Sequence, residues 1–397
     1  MSTRGRPRTA AVAPCEPVIS ATMDTTFLKT RLDETIARAI DAGEWPCAMA
    51  LVFDGEREFY DGSFGRVDRE RPGAPDRDTI FRMFSSTKPF TGFAAALCVE
   101  RGVLALEDPV ERYLPGFAGV RVGPERRAAA RPPQLRDLLS MTSGLTYEFP
   151  WDDHPGLPTV GFANELGRRG LVFDPGDHWQ YGYSADVMGA VIEVATGRRF
   201  GDFLREEIFE PLGMHDTAFF VPPEKRARLC KPYWLNPETN AFVEHVERIG
   251  HLGVADWDAP PPFESGGAGL FPTARDMQAW TRMLLAGGVA PDGRRLLSPA
   301  AFRAMTSGLL TPRQAPSFNW DNCEGQQYGY FNHIQVEDGP QGLLSGRGSF
   351  GWGGWMGTLT WTDPANGLGG VFLVQAICTN SHLQQRVRNV VSAAVSL

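Results

Sequence analysis

The sequence predicts an α/β protein whose sheet is built from both ends of the chain, with helices inserted between the two halves. Near the N-terminus, residues 47–53 form a compact apolar run, and residues 57–62 follow in an extended pattern. Near the C-terminus, residues 358–362 alternate in polarity and residues 371–378 are apolar. Helical patterns fill most of the chain between these regions, which favours helices packed on one sheet.

The elements before residue 90 are predicted as helix, strand, turn and strand. The helix covers residues 27–42, and Gly43 stands where the C-terminus of a helix favours glycine. Its apolar side chains recur with helical spacing at Leu28, Leu32, Ile36 and Ile40. The two strands flank Asp54 and Gly55, a dipeptide typical of a hairpin.

Further helices are expected where apolar residues recur with helical spacing between glycine or proline breaks. They cover residues 90–100, 134–141, 183–196, 200–209, 277–285, 298–305 and 381–395. The pattern suggests one unit made of residues 27–88 and 262–397 and a mainly helical unit of residues 89–261. Residues 1–26 are expected to be a poorly ordered segment.

The composition argues against several classes of protein. The 397 residues are 42% hydrophobic and 22% charged, a composition that is ordinary for a globular enzyme. The net charge is -8, and no basic tract resembles a surface that binds nucleic acid. No apolar stretch reaches the roughly 18 residues that a membrane span requires. The N-terminal residues lack the apolar run of a secretory signal. Six scattered cysteines without a Cys-x-x-Cys pair predict free thiols, no zinc site and a cytoplasmic location.

The first candidate site lies in residues 81–90. Ser85 and Lys88 are three residues apart at the start of a helix, so the amine can lie beside the hydroxyl on one face. The positive end of the helix dipole also favours negative charge developing at Ser85. Only four of the 39 basic residues are lysines, and a lysine, unlike an arginine, can lose its proton when buried. The spacing also occurs by chance, so this motif alone leaves a catalytic role open.

Tyr181 is the second candidate. It follows the turn at Pro175 and Gly176 and precedes a predicted helix, a position from which a side chain can point into a cleft. A tyrosine is a poor base at its ordinary pKa of about 10, but a nearby ammonium such as Lys88 stabilises a phenolate. Lys88 and Tyr181 can therefore act jointly as the base for Ser85. The alternative is a tyrosine of the core or the surface.

The third candidate is the glycine-rich segment through Trp352, Gly353, Gly354 and Trp355. Glycines at a strand edge let a substrate approach the backbone, and backbone N–H groups there can bind an oxyanion. The alternative is a bulge or tight turn with packed tryptophans.

The sequence has no Gly-x-Ser-x-Gly, no His-Glu-x-x-His and no Walker loop, and its seven histidines have no ligand-like spacing. The glycine pattern at residues 346–351 opens no predicted helix, which argues against a dinucleotide site.

The order of these motifs resembles that of the serine β-lactamase-like hydrolases, and within them the class C β-lactamase-like esterases, the family VIII carboxylesterases. Residues 81–89 resemble the nucleophile segment of that family, and residues 135–145 resemble its LRxLLxxTSGL element. Residues 211–217 resemble PLGMxDT. Residues 265–276 resemble SGGxGLxSTAxD, with Pro272 in place of the serine.

The resemblance implies an antiparallel sheet flanked by helices, a mainly helical second unit and an active site in the cleft between them. It implies that Ser85 is the acylated nucleophile and that Lys88 and Tyr181 activate it, with Tyr181 relaying a proton to the leaving group. The N–H groups of Ser85 and Trp355 are the implied oxyanion hole. The resemblance implies no metal and no cofactor, and a small-molecule ester as the partner.

Two departures from the family pattern bear on the substrate. β-Lactamases carry a Tyr-x-Asn motif, whereas the third position of that motif is Tyr183 in this sequence. They also carry Lys-Thr-Gly on the last strand of the site, where this sequence has Trp352, Gly353 and Gly354. Loss of that lysine argues against β-lactams, so we expect a carboxylesterase that cleaves short-chain acyl esters through an acyl-Ser85 intermediate. The aromatic residues expected around its pocket are Trp151, Trp179, Trp352 and Trp355. An acyltransferase or a D-amino-acid peptidase with the same site, weak β-lactamase activity, and a catalytically silent binding protein are the alternatives.

Overall fold

The computed structural model describes residues 22–70, 72–148, 156–245, 259–318, 323–339, 342–377 and 382–396. Several predictions concern residues outside these ranges, namely residues 1–21, Trp151, His154, His251 and Cys378. Of the segment expected to be poorly ordered, residues 22–26 form a short strand and the start of a helix.

The helices are α1 (Thr25–Asp41), α2 (Lys88–Glu100), α3 (Leu135–Leu139), α4 (Thr159–Arg169), α5 (Ser184–Thr196), α6 (Phe200–Leu204), α7 (Glu210–Leu212), α8 (Ala274–Leu285), α9 (Pro299–Met305) and α10 (His382–Ala393). The strands are β1 (Thr22–Met23), β2 (Cys47–Phe53), β3 (Glu58–Gly65), β4 (Arg121–Val122), β5 (Arg127–Ala128), β6 (Tyr233–Asn236), β7 (Ala241–Glu244), β8 (Gln326–Gly329), β9 (Asn332–Gln335), β10 (Phe350–Gly353), β11 (Leu359–Asp363), β12 (Leu368–Leu373), β13 (Ala376–Ile377) and β14 (Val395–Ser396). Each predicted helix is present, with shifts of a few residues at the ends.

Helix α4 is present although the sequence pattern did not predict it. It contains Gly161 and Gly167, which lower helix propensity. A Cβ at Gly167 would lie 2.6 Å from the backbone of Gly116, so the glycine permits close packing of the helix against its neighbour. Tertiary packing, rather than propensity, therefore accounts for this helix.

Seven strands form the central antiparallel sheet, in the order β3-β2-β12-β11-β10-β9-β8. The N-terminal strands β2 and β3 thus share one sheet with five strands from the last third of the chain, joined through the pairing of β2 with β12, which confirms the predicted sheet built from both ends. The glycine-rich strand β10, expected at an edge, lies inside the sheet between β11 and β9.

Both faces of β2, the second strand of the central sheet, are buried, and its side chains alternate between two cores. Ala50 and Val52 pack with α1 and α10 on one face. Leu51 and Phe53 pack with α2 and α8 on the other. The sheet is therefore covered by helices on both sides, which explains the uninterrupted apolar run of β2.

The structure corrects the prediction of one strand over residues 371–378. Strand β12 ends at Leu373, and β13 belongs to a separate sheet, in which it pairs in parallel with β6. The hairpins β6–β7 and β8–β9 also lack a sequence signal, because the apolar runs of β6 and β7 are short and β8 and β9 are largely polar. In particular, β9 is held by pairing to β10, and β8 by pairing to β9, rather than by an apolar face of their own. The proposed division of the chain at residues 88 and 262 stays a prediction.

The predictions from composition concern thiols and membrane spans. The four cysteines in the described ranges, Cys47, Cys98, Cys230 and Cys323, are free thiols as expected. The sulfur atoms of Cys47 and Cys230 lie 3.7 Å apart. None of the described helices combines the length and the hydropathy that a bilayer crossing needs.

Candidate active site

Ser85 lies in a 3₁₀ turn, Phe84–Thr87, that leads directly into α2. Phe84 has a φ of +47°, a left-handed conformation that is uncommon for a residue other than glycine. The backbone just before the turn is anchored, because the N–H of Met83 donates to the carbonyl oxygen of Leu270 at 3.0 Å. This sharp turn leaves Ser85 partly accessible at the start of a buried helix.

Lys88 is fully buried on the first turn of α2, and its amine is the centre of the site. Its Nζ lies 3.1 Å from Ser85 Oγ, 3.1 Å from the hydroxyl oxygen of Tyr147 and 2.8 Å from the carbonyl oxygen of Gly267. It also faces the ring of Tyr181, 4.6 Å from the centroid. The three hydrogen-bonding contacts match the three N–H groups of an ammonium. The structure thus brings Ser85, Lys88 and Tyr181 together.

Tyr147 belongs to this cluster although no motif in the sequence singled it out. Its ring packs edge-on against Tyr183 at 4.5 Å and against Tyr181 at 5.6 Å. Burial raises the pKa of Tyr147 well above its ordinary value, so its hydroxyl keeps its proton near neutral pH. Tyr183, at the position where β-lactamases carry asparagine, is itself buried. The one sequence signal for Tyr147 is its place just after the element at residues 135–145.

Tyr181 lies between Lys88 and the central sheet. The indole N–H of Trp352 donates to the hydroxyl oxygen of Tyr181 at 3.1 Å. The loop that carries Tyr181 is anchored, because the N–H of Gln180 donates to the carbonyl oxygen of Met141 at 2.8 Å. The hydroxyl of Tyr181 is therefore held at a defined place beside the end of β10.

The glycine-rich segment leaves β10 at Gly353 and passes beside the Ser85 turn. A Cβ at Gly354 would overlap the carbonyl oxygen of Met83, so glycine is required for this close approach. Within the described ranges, neither the N–H of Ser85 nor that of Trp355 donates to another protein group. Both N–H groups are therefore free to bind an oxygen atom of a ligand.

A buried carboxylate supports the turn that contacts Lys88. Asp186 of α5 accepts hydrogen bonds from Ser265 Oγ at 2.5 Å and from the N–H of Gly267 at 3.1 Å. Burial raises the pKa of Asp186, while the charge of Lys88 and these hydrogen bonds oppose the rise. A Cβ at Gly267 would lie 2.6 Å from Asp186 Oδ2, so the carboxylate and the turn fit together only with glycine. Asp186 thereby fixes the carbonyl group that accepts from Lys88.

The tryptophans expected around the pocket differ in their surroundings. Trp179 and Trp352 are buried, with ring centroids 6.0 and 5.8 Å from that of Tyr181. Trp355 is 46% exposed. Trp151 lies outside the described residues. Among the residues that the structure describes, no group of three or more His, Cys, Asp or Glu side chains is placed to hold a metal ion.

The helix-covered antiparallel sheet is the β-lactamase/transpeptidase-like fold, and Ser85 and Lys88 lie in contact where its first long buried helix begins. The chain belongs to the β-lactamase family of serine hydrolases, because the family model described as Beta-lactamase matches residues 32–394.

Individual relatives agree with this assignment. The chain is 30% identical over 373 residues to esterase EstB of Burkholderia gladioli, a match that covers 87% of this chain and 90% of the relative. It is 31% identical over 388 residues to the lovastatin esterase of Penicillium rubens, with 87% and 92% covered. The solved structure of EstCE1, described as a hydrolase with promiscuous acyltransferase activity, superposes with a TM-score of 0.79 at 23% identity, over 93% of this chain and 99% of that one.

Proposed function

We propose that the protein is a carboxylesterase of the family VIII type that carries its acyl intermediate on Ser85. The single observation that carries this proposal is the 3.1 Å contact between Ser85 Oγ and Lys88 Nζ. Lys88 is buried and is also bonded to Tyr147 and Gly267, so its amine is held toward the serine. Two relatives whose names state esterase activity support a small-molecule ester as the substrate.

In the first step, Ser85 Oγ attacks the carbonyl carbon of the ester and loses its proton to Lys88. When the amine is neutral, its two N–H groups donate to the carbonyl oxygen of Gly267 and to the hydroxyl oxygen of Tyr147. Its lone pair then faces the hydroxyl of Ser85 and can accept the proton. Tyr147 does not compete for the proton of the serine, since it keeps its own. The N–H groups of Ser85 and Trp355 bind the negative charge that forms on the carbonyl oxygen.

In the second step, the bond to the alcohol breaks and the leaving oxygen takes a proton from Tyr181. The indole of Trp352 can only donate, so the oxygen of Tyr181 accepts from it and its own proton points toward another group. The positive charge of Lys88 beside the ring stabilises the phenolate that results. A water molecule then attacks the acyl carbon and gives one proton to Tyr181. The proton on Lys88 returns to Ser85 as the acid leaves.

Two side chains favour esters over β-lactams. Tyr183 is 2% exposed and packs against Tyr147, so this position presents no amide group to a ligand. Trp352 stands where β-lactamases have the lysine that binds the β-lactam carboxylate, and its indole N–H is directed at Tyr181. We therefore expect nitrocefin turnover to be far slower than ester turnover.

The proposal is tested with p-nitrophenyl acetate and butyrate and with a serine-reactive phosphonate. The wild type should hydrolyse both esters and gain one phosphonate adduct, located on Ser85 by peptide mass spectrometry. Ser85→Ala should lose turnover and adduct while keeping its melting temperature. Ser307→Ala, which changes an exposed serine, is the matched control and should keep both. Hydrolysis by Ser85→Ala would refute the role of Ser85, and a wild type that neither forms an adduct nor hydrolyses ester would favour a silent binding protein.

Acyl transfer to an alcohol is the second candidate function, because the described activity of EstCE1 includes it. Adding a primary alcohol to the ester assay distinguishes the two, since an acyltransferase makes the new ester faster than the free acid. A D-amino-acid amide tests the peptidase alternative in the same way. The cytoplasmic location stays a prediction that cell fractionation would check.

A further inference from the structure

Two buried hydroxyl groups join the Ser85 turn to the connection between β10 and β11, and the proposed reaction does not use them. They belong to Ser86 and Thr358, which are 1% and 0% exposed. Their oxygen atoms lie 3.1 Å apart, although the two residues are 272 positions apart in the chain. Because both groups are buried, water does not compete for their hydrogen bonds, which are stronger than they would be at the surface.

The direction of each hydrogen bond follows from the protons available. Thr358 Oγ1 donates to the carbonyl oxygen of Met83 at 3.0 Å, because a carbonyl oxygen can only accept. Its single proton is then in use, so Ser86 donates to Thr358 Oγ1, the nearest of three oxygen atoms within 3.3 Å of its own. The carbonyl oxygen of Met83 also accepts from the N–H of Ser86 at 3.1 Å. Thr358 is therefore bonded to the turn on both sides of Ser85.

The same threonine anchors the segment that carries Trp355. The pairing of β10 with β11 continues past Gly353, because the N–H of Gly354 donates to the carbonyl oxygen of Thr358 at 2.7 Å. The N–H of Gly357 donates back to the carbonyl oxygen of Gly354 at 2.9 Å and closes a tight loop. Trp355 follows Gly354 directly, so its N–H lies one residue from this anchor. Thr358 thus holds the loop through its backbone and the Ser85 turn through its side chain.

We propose that Thr358, assisted by Ser86, is a positioning residue that fixes the distance between the N–H groups of Ser85 and Trp355. The inference rests on the proposed esterase function, in which those two N–H groups bind the oxyanion. Such donors are effective when they are held in place before the charge develops, because no reorganisation is then needed during the reaction. Loss of the Thr358 hydroxyl leaves Ser86 with only its 3.3 Å contacts to carbonyl oxygens of the sheet, so the two N–H groups can move relative to each other.

The test compares Thr358→Val with Thr358→Ser in the hydrolysis of p-nitrophenyl butyrate. The valine keeps the size of the side chain and removes the hydroxyl, whereas the serine keeps the hydroxyl and removes the methyl group. We expect Thr358→Val to lose about tenfold in kcat with little change in KM, and Thr358→Ser to retain kcat. A loss in Thr358→Ser as large as that in Thr358→Val would assign the effect to packing and overturn the inference.

The matched control is Thr281→Val. Thr281 is also fully buried, but its hydroxyl donates to the carbonyl oxygen of Met277 within α8, at 2.8 Å. This variant should therefore keep both kcat and KM. A loss of kcat in Thr281→Val equal to that in Thr358→Val would show that any buried threonine hydroxyl has this effect, and would count against a specific role of Thr358.

Inhibition by butylboronic acid tests the oxyanion site directly. The boron atom takes the oxygen of Ser85, and a hydroxyl group of the resulting tetrahedral adduct stands where the oxyanion forms. Inhibition should weaken about tenfold in Thr358→Val, by the same factor as kcat/KM falls, because both report binding of the tetrahedral state. The pH profile of kcat should keep its midpoint, since neither hydroxyl carries a charge. Unchanged inhibition together with a reduced kcat would place the effect outside the oxyanion site and refute the inference.

Folding and the proposed function are checked separately. If Thr358→Val fails to fold, as judged by circular dichroism, Ser86→Ala decides: a fall in kcat of about threefold or more at constant KM supports the inference, and a constant kcat refutes it. If the wild type hydrolyses no ester, the proposed function fails and this inference fails with it. An active wild type beside a fully active Thr358→Val defeats this inference alone.

Discussion

The indole N–H of Trp352 donates to the hydroxyl oxygen of Tyr181 across 3.1 Å, although the two residues are 171 positions apart in the chain. The bond joins the central sheet to the loop before α5. Because an indole has no acceptor, the bond decides which way the proton of Tyr181 can point. The glycine-rich strand therefore orients the tyrosine in addition to presenting its backbone to the substrate.

Replacing Trp352 with phenylalanine keeps an aromatic ring and removes this donor. We expect kcat for p-nitrophenyl acetate to fall about tenfold, because Tyr181 loses the bond that orients it. KM should change less than kcat. Steady-state kinetics check the result, with Trp361→Phe, a buried tryptophan on β11, as the control that should retain kcat. An unchanged kcat in Trp352→Phe would show that the bond has no part in the reaction.

The two tyrosines near Lys88 can be separated by the same substitution at each position. Tyr181→Phe should lower kcat by several orders of magnitude, because it removes the group assigned to protonate the leaving alcohol. Tyr147→Phe should cost about tenfold to a hundredfold, because it removes only one of the partners that hold Lys88. Kinetics with p-nitrophenyl butyrate rank the two. A larger loss in Tyr147→Phe would transfer the proton relay to Tyr147.

Asp186→Asn tests the support of the Gly267 turn. The amide keeps the shape of the side chain, but it loses the charge and one acceptor, so the carbonyl group that binds Lys88 is held less firmly. We expect kcat to fall about tenfold to a hundredfold and the stability to fall by about 1–3 kcal/mol. Asp177→Asn, an exposed aspartate paired with Arg313, is the control and should change neither. Activity at the wild-type level in Asp186→Asn would remove Asp186 from the positioning network.

The stability should depend on pH through Glu207. A hydrogen bond from Arg101, joined by Arg198, holds the pKa of Glu207 at about 2, although partial burial works against this. The depressed pKa means that the pairing stabilises the protein above the ordinary carboxyl pKa of about 4.3, and that this stability is lost as the pH falls toward 2.

We therefore expect Glu207→Gln to unfold more easily than the wild type at pH 7, by on the order of 1 kcal/mol after solvent screening. The difference should shrink below about pH 4, where the unfolded carboxyl group takes up its proton. Urea unfolding at pH 7 and at about pH 3 measures it, with Glu206→Gln, a more exposed carboxylate, as the comparison. A difference that grows toward low pH would contradict the assigned direction.

Part of the site could be predicted from the sequence because its geometry is local. Ser85 and Lys88 are three residues apart at the start of one helix, so their proximity follows from helical spacing alone. The glycines next to Trp352 likewise indicate a close backbone approach through their residue type alone, because they carry no side chain. The sheet from both chain ends was also predictable, because apolar strand patterns stand at both termini and helical patterns between them.

The sequence by itself determined the order of most elements, apart from α4 and the hairpins β6–β7 and β8–β9, and the chemical types available for catalysis. Only the tertiary structure decided that Tyr147 would bond Lys88 and that Trp352 would bond Tyr181. These contacts join segments far apart in the chain; the Lys88–Gly267 pair, for example, spans 179 positions. Such pairings depend on how the sheet and helices pack as a whole, and no local spacing specifies them.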